Sequence, residues 1–264
     1  MSFWSPAPVI VSGPCVLEDR STNMKVAEHL LELSEKHSVR VIFKASFDKA
    51  NRSNADAPRG PGIDRGLEEL QQVKNEIGIP LLTDVHEPWQ AQKAASVVDC
   101  LQVPAFLCRQ TDLLLAVGAS GRAVNIKKGQ WMSAEAMAGA VGKVRSVGDA
   151  DIAVTERGAF FGYGDLVVDM RNFRRLREAT GAFVLYDATH SLQRPGLGTG
   201  GSSGGNREYC TDLLKGSAAA GADGFFLETH PNPAQASSDS ATMVPLGELD
   251  HIIERTLDVW RAAR

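Results

Sequence analysis

Residues Pro80–Phe106, PLLTDVHEPWQAQKAASVVDCLQVPAF, set out one complete structural unit. PLLTDV is a short apolar, β-rich run that ends in polar residues, PWQAQKAASV has helical spacing, and CLQVPAF is a second β-rich run. Strand, helix and strand in so short a space form the building block of a parallel sheet. The same unit recurs along the chain. Other β-rich runs are PVIVSG, RVIFKAS, AVNIKK, DIAVTER, FVLYDATH and GFFLETH, and they follow one another at intervals of about 30 residues. Between them lie TNMKVAEHLLELSEKH, TDLLLAVGA, SAEAMAGAVGKVRSVG, RNFRRLREATG, REYCTDLLKGSAAAG and LGELDHIIERTLDVWRAA, all with helical spacing. Leu67, Leu70, Val73 and Ile77 mark one further helix, which Gly78 and Pro80 close. Eight strand-helix units in series predict an α/β fold, a (β/α)8 barrel occupying residues 1–264 as a single domain. An open doubly wound sheet is the weaker alternative, because no GxGxxG follows the first strand.

The composition narrows the class. With 264 residues, 43% of them hydrophobic, the chain can bury a large core. It shows no apolar run of membrane-spanning length and no leader-like opening, so a soluble cytoplasmic protein without a membrane partner is expected. A formal charge of -4 argues against a nucleic-acid surface, and an anionic ligand would need a local cluster of Lys and Arg. Cys15, Cys100, Cys108 and Cys210 are scattered without a CxxC pair, which reads as reduced thiols.

Active sites of (β/α)8 barrels sit at the C-terminal ends of the strands. Each β-rich run here ends in groups that are costly inside a core: Cys15, Lys44, Asp84 with His86, Gln102, Lys127 with Lys128, Glu156 with Arg157, His190, and Glu228 with His230. Lys44, Lys127 and Arg157, with Lys49 in the loop after the second strand, converge on one mouth and suit a substrate carrying phosphate and carboxylate. Asn51, Arg52 and Ser53 offer amide, guanidinium and hydroxyl donors for a second phosphate; the alternative is an ordinary polar loop. Cys15, His190, Glu228 and Asp239 bring a thiolate, an imidazole and two carboxylates from neighbouring strands. Such a set suits Zn(II), Fe(II), Mn(II) or Co(II) and disfavours Mg(II). A structural cysteine beside loop carboxylates is the competing reading.

FKASFDKANRS, Phe43–Ser53, closely resembles the strand-two loop of the 3-deoxy-D-manno-octulosonate 8-phosphate synthase family. The likeness continues through GPCVLE, LLTDVHE, LQVPAFLCRQTDLL, NIKKGQW, TERG, YDATHSLQRPG and FLETHPNP, and so spans nearly the whole chain. The 3-deoxyheptulosonate 7-phosphate synthases look similar at several positions but carry a Pro-Arg-Thr-Ser type loop where this chain has ANRS, which favours arabinose 5-phosphate over erythrose 4-phosphate. The resemblance implies a transferase that condenses phosphoenolpyruvate with D-arabinose 5-phosphate in lipopolysaccharide precursor synthesis. It implies that Lys49, Lys127 and Arg157 grip phosphoenolpyruvate, with Lys44 and Gln102 beside them. Asn51, Arg52 and Ser53 would hold the sugar phosphate and Asp84 a sugar hydroxyl, in a site completed across a boundary of a homotetramer. It also implies a divalent metal on Cys15, His190, Glu228 and Asp239, since metal-independent members carry Asn at the cysteine position. The resemblance further implies catalytic duty for Cys15, His190, Lys49 and Asp84.

His86 and His230 are open between substrate contact and hydrogen-bonded rim histidines, and the other cysteines read as structural. The Gly/Ser-rich RPGLGTGGSSGGNRE, Arg194–Glu208, reads as a lid over the mouth or as a connector. Two rival functions are a Schiff-base aldolase using Lys127 as its nucleophile and a non-catalytic sugar-phosphate-binding barrel.

Overall fold

A computed structural model of the chain describes residues 2–52, 56–196 and 204–264. Eight strands form the frame: β1 (Val9–Val16), β2 (Arg40–Ser46), β3 (Leu81–Asp84), β4 (Cys100–Val103), β5 (Ala123–Lys127), β6 (Ile152–Glu156), β7 (Phe183–Asp187) and β8 (Gly224–His230). Each pairs in parallel with the next, and β8 pairs with β1 through Val9↔Gly224 to Gly13↔Glu228, which closes the barrel. The interleaving helices are α1 (Arg20–His37), α2 (Ile63–Ile77), α3 (Pro88–Ala95), α4 (Thr111–Gly118), α5 (Met137–Arg145), α6 (Asn172–Thr180), α7 (Cys210–Ala219) and α8 (Leu246–Ala262). The predicted (β/α)8 architecture is therefore the observed one.

Period-two alternation along the strands creates two cores. Ile10, Val41, Phe43, Leu101, Val124, Ile126, Val154, Val184, Phe225 and Leu227 face outward and pack under the helices. Val9, Val11, Ile42, Leu82, Cys100, Ala123, Ala153, Leu185 and Phe226 face inward, so every strand contributes to the barrel's interior layer. Trp4 plugs the N-terminal end of this inner core. It is fully buried, lies against Phe183 with ring centroids 6.0 Å apart, and donates from Nε1 to the Asp151 carbonyl at 3.1 Å.

Two features interrupt the pattern. A hairpin of Ala159–Gly162 with Asp165–Val167, not anticipated from sequence, follows β6 at the mouth. The Gly/Ser-rich segment begins and ends in a small ladder, Gln193–Arg194 against Gly204–Gly205, while its centre at 197–203 lies outside the described residues.

The plug and the mouth sit at opposite ends of the barrel, so stability and chemistry separate. Trp4→Ala should lower stability by about 3–5 kcal/mol, read from chemical denaturation, while the folded fraction keeps the KM of the wild type.

Candidate active site

The alternation that fills the barrel with apolar side chains also decides which polar ones enter the mouth. Counting on by twos from the inner layer gives Lys44 and Ser46 on β2, Asp84 on β3, Gln102 on β4, Asn125 and Lys127 on β5, Thr155 on β6, Asp187 on β7 and Glu228 on β8. Arg157 follows β6 at the same parity. All of these are buried. Lys128 and Glu156 have the opposite parity and pair with each other behind the barrel wall at 3.4 Å, so the paired rim groups expected from KK and ER divide between two layers.

Cys15 reaches the mouth by a different device. Its backbone pairs with Ala45, which faces the helices, but β1 bulges between Ser12 and Cys15 and Cys15 adopts a left-handed φ of 67°. The turn places Sγ 3.2 Å from Asp239 Oδ2. Gly13 permits the bulge, since a Cβ there would lie 1.9 Å from the Lys44 carbonyl oxygen. Asp239, in the loop after β8, is itself left-handed at φ 50°.

Ligand atoms of Cys15, Glu228 and Asp239 all lie within 4.8 Å of one another. His190 stands beside them, in a short 3-10 turn three residues beyond β7 and not at the strand end itself. Its Nε2 is 3.7 Å from Glu228 Oε1 and 4.0 Å from Asp239 Oδ2. Glu228 Oε2 is buried without a hydrogen-bond partner, an orphan that a cation would satisfy. Thiol, imidazole and two carboxylates thus fit a borderline divalent ion, as the residue types suggest. Burial, reinforced by Glu228, pushes the Cys15 thiol well above its usual range. Burial works against the charge of Asp239 as well, but His190 and Lys49 hold its carboxyl below the usual carboxylate range.

Cations share the same mouth. Lys127 Nζ is 2.6 Å from Asp187 Oδ2 and 3.1 Å from the centroid of the Phe226 ring. Burial, only partly countered by Asp187, lowers Lys127 to about 8. Arg157 donates from Nη2 to Gln193 Oε1 at 2.8 Å, while its buried Nη1 has no partner. Burial disfavours the charge of Lys49 too, but Cys15, Glu228, Asp84 and Asp239 outweigh it and raise its pKa. Asp84 Oδ2 meets His86 Nε2 at 3.1 Å, and Asp84 Oδ1 is buried without a partner. Despite burial, Lys44, His86 and Lys49 keep Asp84 below the usual carboxylate range.

Several expected residues take more structural positions. Lys44 donates to the Cys15 carbonyl at 2.9 Å, Ser46 Oγ at 3.1 Å and Glu228 Oε1 at 3.2 Å, so it braces the thiol-carboxylate cluster more than it opens to a ligand. Gln102 accepts from Asn125 Nδ2 at 3.0 Å, and Asn125 Oδ1 accepts from Thr155 at 2.6 Å, a polar layer beneath the mouth. Arg52 is docked on Ser238 Oγ at 2.8 Å and the Ser237 carbonyl at 2.9 Å, next to Asp239. Asn51 is exposed on the same loop, and Ser53 lies outside the described residues. His230 Nδ1 accepts from the Asn232 amide at 2.9 Å and its Nε2 meets Glu18 at 3.2 Å, making it a structural rim histidine. Cys100, Cys108 and Cys210 are buried free thiols, as expected.

Sequence reasoning passed over Asp187, Gln193 and Glu18. Asp187 touches both Lys127 and His190; Gln193 bridges Arg157 and Asp239, donating to Asp239 Oδ1 at 2.5 Å. Glu18 holds the Asp239 loop through the Ser237 amide at 3.0 Å. Inward parity from Leu185 would have found the first of these.

A closed barrel with converging cations and a carboxylate-thiol-imidazole cluster at the C-terminal ends of its strands defines a (β/α)8 enzyme acting on anionic substrates. The chain belongs to the DAHP synthetase I family, whose sequence profile matches residues 5–260. Among its relatives is a 2-dehydro-3-deoxyphosphooctonate aldolase of Syntrophotalea carbinolica, 47% identical over 98% of this chain and 93% of that protein. Proteins of the same name from Rhodopseudomonas palustris, 48% identical over 98% of this chain and 90% of theirs, and from Bradyrhizobium diazoefficiens, 47% identical over 97% and 91%, match equally well.

The bulge carries a direct test. Gly13→Ala forces the β1 turn away from Lys44 at a cost of roughly 1–3 kcal/mol. It should also move Cys15 off the cluster, so that divalent-metal content falls in protein that still shows native circular dichroism.

Proposed function

We propose that this chain condenses phosphoenolpyruvate with D-arabinose 5-phosphate and water, giving 3-deoxy-D-manno-octulosonate 8-phosphate and inorganic phosphate. The observation that carries the reading is near full-length identity of 47–48% to proteins named 2-dehydro-3-deoxyphosphooctonate aldolase, together with the unsatisfied donors and acceptors in the mouth. C3 of phosphoenolpyruvate attacks the aldehyde carbon while water adds at C2, and the phosphate then leaves by cleavage of its bond to C2. Lys127, Arg157 and Lys49 neutralise the phosphate and carboxylate of phosphoenolpyruvate, the free Nη1 of Arg157 being ready for one of its oxygens. Asp84, with Oδ1 open, accepts from a sugar hydroxyl, and Asn51, Arg52 and Ser53 take the distal phosphate. That role requires Arg52 to leave Ser238. Cys15, His190, Glu228 and Asp239 would hold one divalent ion, which supplies Lewis acidity at the aldehyde end.

Catalysis belongs to Lys49, Asp84, Cys15 and His190 in this scheme, and the product feeds lipopolysaccharide precursor synthesis in the cytoplasm. No helix among the described residues is long and apolar enough to cross a membrane. A homotetramer follows the same reading. Phe161 and Tyr163 on the hairpin after β6 are 95% and 103% exposed, and Phe106 and Trp131 stack at 6.0 Å on neighbouring mouth loops, an apolar belt suited to a second copy. Sedimentation should show one tetrameric species, and a monomer at micromolar concentration would refute it.

One observation favours a second reading. A buried lysine lowered to about 8 on a barrel strand has the profile of an imine-forming nucleophile, and Lys127 has it. Borohydride with substrate would inactivate such an enzyme. The condensing reading predicts resistance to borohydride, and phosphate release that a chelator abolishes and a divalent ion restores. Chelator-resistant release would remove the metal; erythrose 4-phosphate used in preference to arabinose 5-phosphate would move the chain to the sister activity.

Lys127 also sets a pH dependence. Its ammonium binds an anion below about 8 and is lost above it, so phosphoenolpyruvate affinity should fall as pH rises through that value. In Lys127→Arg, whose guanidinium stays charged, the inflection in KM should disappear.

A further inference from the structure

Asp187 is fully buried at the C-terminal, mouth end of β7, and both its oxygens are engaged. Oδ1 accepts from the backbone amides of Thr189 at 3.1 Å and His190 at 2.9 Å, which fixes the turn carrying the histidine. Oδ2 meets the Lys127 ammonium at 2.6 Å and His190 Nδ1 at 2.8 Å. An ionised carboxylate only accepts hydrogen bonds, so the ring proton in that contact must sit on Nδ1. In the neutral ring, the form that binds a metal, Nε2, which faces Glu228 and Asp239 at 3.7 and 4.0 Å, is then left with its lone pair toward the cluster.

We infer that Asp187 is the positioning residue of this site: it selects the ring nitrogen that His190 presents to a metal and, through the same oxygen, anchors the lysine of the anion-binding side. A histidine whose second nitrogen is bonded to a carboxylate is both oriented and made more basic as a ligand. Asp187 does not touch the reacting atoms. It acts through Lys127 and His190, which meet on one of its oxygens, and so joins β5 to the β7 turn. The inference rests on the metal-dependent condensing reading for its consequence in turnover, but its geometry belongs to the chain alone.

Asp187→Asn keeps the size and one carbonyl oxygen. Its amide can donate to Nδ1, which moves the ring proton to Nε2 and turns the lone pair away from the cluster. Two measurements independent of turnover test this. Zinc affinity, from competition with a chromophoric chelator, should fall about 10–100-fold. Two-bond proton-nitrogen correlation on protein labelled at histidine nitrogen, at a pH where the ring is neutral, should show His190 protonated at Nδ1 in the wild type and at Nε2 in the variant. Asp187→Asn binding zinc within twofold of wild type would overturn the inference. So would a wild-type ring protonated at Nε2, a result that needs no variant to fold. Failure of the wild type to release phosphate from phosphoenolpyruvate and arabinose 5-phosphate would instead refute the functional reading and leave the tautomer result standing.

Discussion

Strand parity in a closed barrel is the constraint from which the rest of the molecule follows. Eight parallel strands with no free edge leave each side chain only two directions, toward the helices or toward the axis. A small apolar layer closes the axis below, with Phe226 and Leu82 among its members and Trp4 beneath them. Above it the same parity forces charged groups into one confined space. A residue inserted into any strand would exchange the two sets, so the mouth is specified as tightly as the core.

Confinement makes charge balance the governing energy of the mouth. Lys44, Lys49, Lys127 and Arg157 share it with Asp84, Asp187, Glu228 and Asp239, four cations against four carboxylates. Isolated buried charges are expensive, and paired ones are tolerated. The pairs are not used up completely, because Asp84 Oδ1, Glu228 Oε2 and Arg157 Nη1 remain without partners. Orphans of both signs in one mouth suit a cation and an anion arriving together, since either alone would leave its charge uncompensated. The left-handed backbone at Cys15 and Asp239 stores strain at the same place, as expected where a ligand repays it.

Most of this architecture was legible in the amino-acid sequence because apolar alternation and helical spacing are local signals. The runs PLLTDV and CLQVPAF became β3 and β4 almost as read, and polar strand ends such as Lys127 and Glu228 marked the mouth. What stayed hidden was nonlocal or conformational. Nothing in the GPC turn shows that a bulge aims Cys15 at Asp239, 224 positions away. Arg52 carries the signature of a phosphate ligand, but no pattern reveals its docking on Ser238. Lys128 and Glu156 looked like rim charges because adjacent residues were read together, although adjacent residues in a strand face opposite ways. Asp187 is inconspicuous because FVLYDATH reads as one run ending at His190, whereas the strand ends three residues earlier, at Asp187 itself.

The central claim is that one mouth brings a metal-binding face and an anion-binding face against each other. Anomalous diffraction from crystals soaked with Co(II) and phosphoenolpyruvate tests it most directly. The expected result is one cobalt peak, about 2.0–2.3 Å from Cys15 Sγ, His190 Nε2 and the carboxylates of Glu228 and Asp239, with phosphoenolpyruvate against Lys127 and Arg157 inside the same barrel. Cobalt bound away from Cys15, or phosphoenolpyruvate held outside the mouth, would contradict the account.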